Sequence, residues 1–360
     1  MKTFVTGATG FIGSALVRSL LARGEDLKLL VRANSNLNMI QGLDVEIVEG
    51  DIRDGDKLAI AMKGCKRCYH VAALYTLNDK PRLFEEINVD GTRNILDGAQ
   101  KAGVERVVYT STVAAVGCAS ESGLADEETE WNLGNLSIPY IQSKRRAEVL
   151  TMERARQGMD IVVVNPSGPV GPGDVKPTPT GKLLLSFIRG RLPLVPQARN
   201  NFVGVEDVAL GHVLAMEKGA RGGRYILAGE NITTTEFLAR VAAMTGRRRP
   251  WKLPHLFAYM GGLLSEIVVK WIFRQETFMN RANVKFLAKN MSFSIDKARS
   301  ELGWVPRKLD DSIERSVQWF CNNGYVKDRR KRKILDNIRT YRKEEDARLA
   351  EGRVGGERED

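Results

Sequence analysis

The sequence predicts an α/β fold, a doubly wound parallel sheet with a smaller C-terminal lobe, and three observations predict it. Short apolar runs alternate with helix-period stretches across residues 2–166, the pattern of βαβ units. Three glycines spaced G-x-x-G-x-x-G (Gly7, Gly10 and Gly13) stand where the first strand must turn into the first helix. Beyond residue 166 the alternation breaks at "PSGPVGPGDVKPTPTG" and resumes as helices with one short strand, the mark of a second lobe.

Taken in order, strands are expected over 2–6, 27–31, 45–48, 67–72, 106–110 and 161–165, with helices over 11–23, 55–63, 83–102 and 138–157. "GLDVEIVEGDIRD" sets a third strand before the acidic turn at Asp51, and "RVVYTST" is a fifth strand ending in hydroxyls. Residues 166–181 read as a long loop, and such loops in compact domains are usually functional. Helices follow over 181–190, 205–218, 233–245 and 309–322, with a strand near 224–228. The expected division is a nucleotide-binding domain over 1–166, containing the 138–157 helix, and a lobe over 167–322 interleaved with the sheet. That lobe would enclose a ligand at the carboxyl ends of the strands. Residues 323–360 read as a charged tail, with apolar residues beyond Lys327 too sparse to order against a core.

Composition narrows the function classes. The chain has 360 residues, 43% hydrophobic and 28% charged, enough for a large core. Its strand-like start predicts no secretory leader. The apolar stretch "LFAYMGGLLSEIVVKWIF" (256–273) is broken by Glu266 and Lys270, too polar for an ordinary membrane span. Four scattered cysteines predict reduced thiols and a cytoplasmic location. Cys65-x-x-Cys68 has no second pair and His70 adds no proper ligand spacing, so no metal site is expected. The net charge is +11, and the run "KDRRKRK" (327–333) is strongly basic. No aromatics alternate with those charges, which argues against nucleic acid. Weak contact with a membrane surface through this basic tail stays open, as does a homodimer.

Chemistry comes from three places. A strand-to-helix junction needs no glycine for packing alone, so the glycine spacing points to a guest on bare backbone. Dinucleotide pyrophosphate fits, held by amide N–H groups and the positive end of the helix. "YIQSK" puts Tyr140 and Lys144 on one helix face, where an ammonium would lower the phenol's pKa and ready it for proton transfer. Ser111 and Thr112 end the fifth strand, where a hydroxyl can polarise a carbonyl oxygen beside the tyrosine.

Together these residues resemble the extended short-chain dehydrogenase/reductase superfamily over nearly all of 1–320, which implies a Rossmann-type sheet. "TGATGFIG" is similar to its nucleotide loop, implying Gly7, Gly10, Phe11, Ile12 and Gly13 as cofactor contacts. "GDIRD" resembles its adenine turn, with Asp51 and Ile52. "HVAA" resembles the strand end beside the cofactor, with Val71, Ala72 and Ala73, and "NVDGTRN" its central helix. Thr112, Tyr140 and Lys144 fall on the catalytic hydroxyl, tyrosine and lysine, and Pro166 begins the nicotinamide-side loop. The chain looks closest to dihydroflavonol 4-reductase-like proteins and to the bacterial group labelled hopanoid-associated sugar epimerases. That likeness implies isoprenoid or hopanoid metabolism.

Reductase and epimerase share one site. Val31 stands where an acidic residue would hold ribose hydroxyls, and Arg32 follows, a guanidinium suited to a 2′-phosphate. This favours NADP(H), with NAD(H) as the other option. Val113-Ala114 replace the Asp-Glu pair of related dehydratases. Asn200 replaces a diphosphate-binding arginine, with Arg199 one residue off and Lys176, Lys182 or Arg189 as substitutes. The leading expectation is hydride transfer between a carbonyl and a secondary alcohol, with Tyr140 as proton donor. Thr112 would hold the oxygen, and Lys144 would tune Tyr140 and bind the nicotinamide ribose. A nucleotide-sugar epimerase with tightly bound NAD(P) is the alternative, and a non-catalytic cofactor-binding scaffold the second. Residues 118–139 and 174–202 are expected to line a small-molecule pocket, with Trp131 or Phe187 stacking on a substrate or packing in the core.

Overall fold

The computed structural model describes residues 1–75, 80–253 and 285–356. Seven strands form one parallel sheet: β1 (Lys2–Thr6), β2 (Asp26–Val31), β3 (Glu46–Glu49), β4 (Cys65–His70), β5 (Arg106–Thr110), β6 (Ile161–Pro166) and β10 (Arg224–Leu227). Their order across the sheet is β10-β6-β5-β4-β1-β2-β3. This is the doubly wound order 3-2-1-4-5-6 extended by one strand, with its switch point between β1 and β4.

The strand sequences explain the layering. On β5 and β6, Val108, Val162 and Val164 pack with the apolar faces of α1 (Phe11–Leu21) and α8 (Val205–Lys218). Their neighbours Val107, Tyr109, Ile161 and Val163 face the other way. There they meet α2 (Gly55–Ala61), α4 (Gly91–Ala102) and α6 (Pro139–Arg156). Both faces being covered, β6 is buried along its whole length. β3 lies at the edge and carries Glu46 and Glu49 there, charges that discourage further strand pairing.

The helix expected over 83–102 is in three parts. α3 (Pro81–Phe84) runs into a π-helical segment, Glu85–Asp90, and then into α4. The wide turn lets Asn88 reach sideways: its carboxamide accepts from Leu74 N at 2.7 Å and donates to Ser143 Oγ at 2.9 Å. β4 ends two residues earlier than expected, which leaves Val71–Ala73 in the loop that crosses the glycine turn.

Residues past 166 return to the main sheet through α8, β10 and Trp304, which is buried in the same core. The remainder builds the second lobe. A short α5 (Val113–Val116) precedes it, and β7 (Gly168–Val170), β9 (Arg199–Gly204) and β11 (Glu230–Thr233) make a small sheet. β8 (Leu194–Pro196) pairs with β12 (Trp251–Leu253). α7 (Pro179–Ile188), α9 (Thr234–Thr245), α10 (Leu309–Asn322) and α11 (Asp328–Gly356) complete it.

α11 overturns the expectation of an unordered tail. Val326, Ile334 and Ile338 are buried with α9 and α10, and Tyr341 packs at the edge. Asn337 Nδ2 donates to Thr245 O at 2.8 Å, and Arg342 pairs with Asp311 at 2.8 Å and with Glu314. The apolar residues are few, but Ile334, Ile338 and Tyr341 recur at i, i+4 and i+7, so all fall on one face. The stretch 256–273 lies outside the described residues. Among those described, no helix is long and apolar enough to cross a membrane. All four cysteines are free and buried, and burial raises the Cys65 and Cys68 thiols.

Candidate active site

The glycine turn is where sequence and geometry first diverge. Gly7 has φ +73, and a Cβ there would sit 2.6 Å from Ala72 N. A Cβ on Gly13 would collide with Gly7 O. Both glycines are therefore required by the chain's own close approaches, contrary to the expectation that packing needs none. Gly10 differs. It has an ordinary φ of −83, caps α1 without a side chain, and is exposed at the cavity wall. Bare backbone at that point leaves the first-turn amides of α1 accessible, and no acidic residue lies in that turn. Unpaired helix N–H groups in this setting suit an anion such as a pyrophosphate.

From this turn a cavity of about 1910 Å³ runs along the carboxyl ends of the strands to the second lobe, larger than the ~300–1,000 Å³ typical of small-ligand pockets. All the expected cofactor residues line it: the glycine turn with Phe11 and Ile12, then Arg32, Asp51, Ile52, Val71–Ala73 and Pro166. Asp51 accepts from Arg53 Nε and Nη2 at 3.0 and 2.8 Å, and this pairing holds its carboxyl below the usual range, with Arg32 adding to the effect.

The end that holds the expected catalytic residues is built by the last residues of β5 and the first turns of α6. Thr112 precedes α5, and its Oγ1 accepts from Ala114 N at 3.3 Å. Tyr140 is half-buried, with its ring 4.6 Å from that of Tyr75. Burial pushes its phenol up to about 12, and a hydrogen bond with Thr112 opposes that rise. Lys144 is 2% exposed; its Nζ donates to Thr110 O at 2.6 Å and to Tyr109 Oη at 3.0 Å. Burial pulls the ammonium down to about 7, opposed by the Glu148 carboxylate. The helical spacing does bring both side chains to one wall, but the ammonium bonds into β5 and the phenol's partner is Thr112. The phenol is raised, not lowered as the spacing suggested. Ser111 Oγ is buried on the same wall with no partner among the described residues, a hydroxyl left free for a ligand.

Residues 3–228 match the model of the NAD dependent epimerase/dehydratase family. The chain belongs to that family. It is thus an NAD(P)-dependent enzyme of the extended short-chain dehydrogenase/reductase type. A Synechocystis sp. protein provisionally named dihydroflavonol 4-reductase is 43% identical over 336 residues, covering 90% of this chain and 96% of its own length. Sterol demethylase protein B of Methylococcus capsulatus is 34% identical over 330 residues, covering 91% of this chain and 100% of its own. The crystal structure of gox2253 superposes with a TM-score of 0.82 at 42% identity, covering 90% of this chain and 99% of that one.

Around Thr112 and Lys144, this epimerase/dehydratase-family member carries supports that motif reading missed. Glu148 is buried, one turn beyond Lys144. Its Oε2 accepts from Asn165 Nδ2 at 2.6 Å and its Oε1 from Arg224 Nη1 at 3.1 Å. The same Asn165 Nδ2 donates to Thr112 O at 3.0 Å, so one buried carboxylate fixes the threonine's backbone and favours the charged lysine. The signal was its i+4 spacing from Lys144. His70 bridges Thr6 and Thr92 at 2.8 and 3.1 Å, and burial depresses it to about 3, so it is a neutral strut.

The substrate walls differ from expectation in part. Of 118–139, only Ser137, Ile138 and Pro139 reach the cavity. Trp131 donates Nε1–H to Ala114 O at 3.1 Å, under Arg145, and Phe187 is buried in the lobe core; neither ring lines the cavity. The stretch 174–202 does supply Asp174, Lys176, Lys182, Leu183, Leu194 and Asn200. Arg189 and Arg199 turn away to Tyr325 O and Glu121 O. Asp174 accepts from Thr178 N and Oγ1, and burial raises its carboxyl to about 6.

Proposed function

We propose that this enzyme is an NADP(H)-dependent oxidoreductase that interconverts a carbonyl and a secondary alcohol on an apolar substrate of dihydroflavonol or isoprenoid type. The Thr112–Tyr140 pair carries the reading: a phenol that stays protonated at neutral pH, bonded to a hydroxyl, on the wall of a cavity that begins at a nucleotide turn. The nicotinamide, when bound, supplies or accepts the hydride. Tyr140 donates its phenol proton to the carbonyl oxygen, and Thr112 Oγ1 holds that oxygen in place. Lys144, its ammonium pulled down by burial and held up by the Glu148 carboxylate, binds the nicotinamide ribose. Arg32 takes the 2′-phosphate, since no carboxylate at position 31 rewards free ribose hydroxyls. The names of the reductase and sterol-pathway relatives support this substrate class, as do Leu183, Leu192, Leu194 and Leu253 on the wall.

Lys176 and Lys182 on the same wall favour a second reading, an epimerase acting on a nucleotide sugar. Cofactor content separates the two. A reductase releases its nicotinamide on purification and consumes added NADPH with a ketone substrate. An enzyme isolated with nicotinamide attached that turns over with none added would replace the first reading by the second.

A further inference from the structure

Three helix ends meet on one face of the second lobe. Arg247, just past α9, donates to Ile188 O at the end of α7 at 3.1 Å. Arg330, at the start of α11, donates to Arg189 O, and Arg189 Nε donates to Tyr325 O at 2.8 Å. The segments 189–191, 247–252 and 327–333 thus converge, and they carry twelve Lys or Arg against a single Asp. Among the described residues none of these twelve forms an ion pair. Three other arginines on the lobe are ion-paired, Arg307, Arg315 and Arg342, with Glu206, Asp207, Asp311 and Glu314. Burial lowers Arg247, and repulsion from Arg330 adds to it.

Within this cationic face sits Trp251, 77% exposed and in register with Leu194, itself 44% exposed. A merely solvated charged face has no use for a bare indole. Leu194 and Leu253 also line the cavity, so the β8–β12 pair is at once outer surface and cavity rim. Unpaired cations around an exposed tryptophan match an interface with anionic headgroups, where each Lys or Arg contributes about 1 kcal/mol, or about fivefold in partition, and an indole rests at headgroup depth. Single-stranded nucleic acid would call for several stacking rings.

We propose that this face docks the enzyme on an anionic phospholipid surface, with Trp251 at headgroup level and the apolar rim of the cavity turned toward the bilayer. The reactive residues play no part in it, and Arg248, Arg249, Trp251 and Lys252 do not line the cavity. Failure here therefore leaves the reductase reading standing.

The full-length protein is floated with vesicles of phosphatidylcholine alone or mixed with phosphatidylglycerol. It partitions to the mixed vesicles only, and added salt weakens the binding. The combined Arg248→Ala, Arg249→Ala and Lys252→Ala variant loses about 100-fold in partition, at about fivefold per charge. Trp251→Phe abolishes the blue shift of tryptophan emission that the mixed vesicles induce. Unchanged NADPH binding shows that each variant is folded; if the triple variant fails that check, the Trp251→Phe spectrum and the salt dependence decide. Equal binding to neutral vesicles, or wild-type partition and blue shift in the variants, overturns the proposal. So does tighter retention on duplex DNA than on the vesicles at the same salt, or salt-sensitive self-association without lipid.

Discussion

At the nucleotide end of the cavity one local turn sets the shape, formed by Gly7, Gly10 and Gly13, and a single segment, Val71–Ala73, crosses it. At the substrate end, Val170, Phe237, Ile313 and Ile338 come from four distant segments to make one core. The first region is dictated by backbone geometry, which tolerates almost no substitution. The second is dictated by apolar volume, which many sequences can supply. A binding turn for an invariant cofactor and a wall for a variable substrate call for these two kinds of construction.

The sharpest test of the contrast is Tyr140→Phe. Turnover is expected to fall by roughly 10²–10⁴-fold, the scale of a positioned acid, while melting temperature and NADPH affinity hold. Undiminished turnover would remove the mechanism. Next comes Ile338→Ala, which empties a site in the lobe core and should cost roughly 2–5 kcal/mol of stability. Calorimetry would show the loss; an unchanged melting temperature would mean that α11 contributes nothing to the core.

A smaller effect belongs to Arg32→Ala. A charge-assisted bond to phosphate is worth about 1.5–3 kcal/mol, so NADPH binding should weaken roughly 10- to 150-fold with NADH nearly unchanged. Fluorescence titration with both cofactors checks it, and equal wild-type affinities would reduce Arg32 to a surface arginine. The smallest effect expected is on pH dependence. Lys144 is charged below about 7, so reduction should decline as pH rises through that value, whereas Tyr140, at about 12, stays protonated throughout. Glu148 raises the lysine, so Glu148→Gln should move the decline toward lower pH. A kcat/KM profile that does not shift would leave Glu148 a purely structural partner of Arg224 and Asn165.

Legibility followed the same division. β1 to β6, the glycine positions and the order Thr112, Tyr140, Lys144 could be read because strand period and motif spacing are local properties. What Lys144 bonds to could not be read, since Thr110 O and Tyr109 Oη reach it only through β5 packing beside α6. Residues 118–139 look like a pocket wall in sequence, yet Cys118, Ala125, Leu133 and Leu136 bury themselves under α6 instead. α11 was hidden by its charge: three apolar residues per two turns are enough for a docked helix when they share a face, although they read as sparse in composition. Asp174 carried no signal at all, because its burial depends on the path of a Pro/Gly loop.

α11 also sets a timetable. β7 enters the lobe core at Val170, and that core is not covered until Ile334 and Ile338 arrive. During synthesis at about 5–20 residues per second, the roughly 170 residues between take on the order of 10–30 s to emerge. For that interval a nascent chain carries a half-built apolar surface beside a sheet that gains its last strand, β10, only at Leu227. Ribosome-bound chains stopped just short of residue 334 should be the ones that chaperones hold longest.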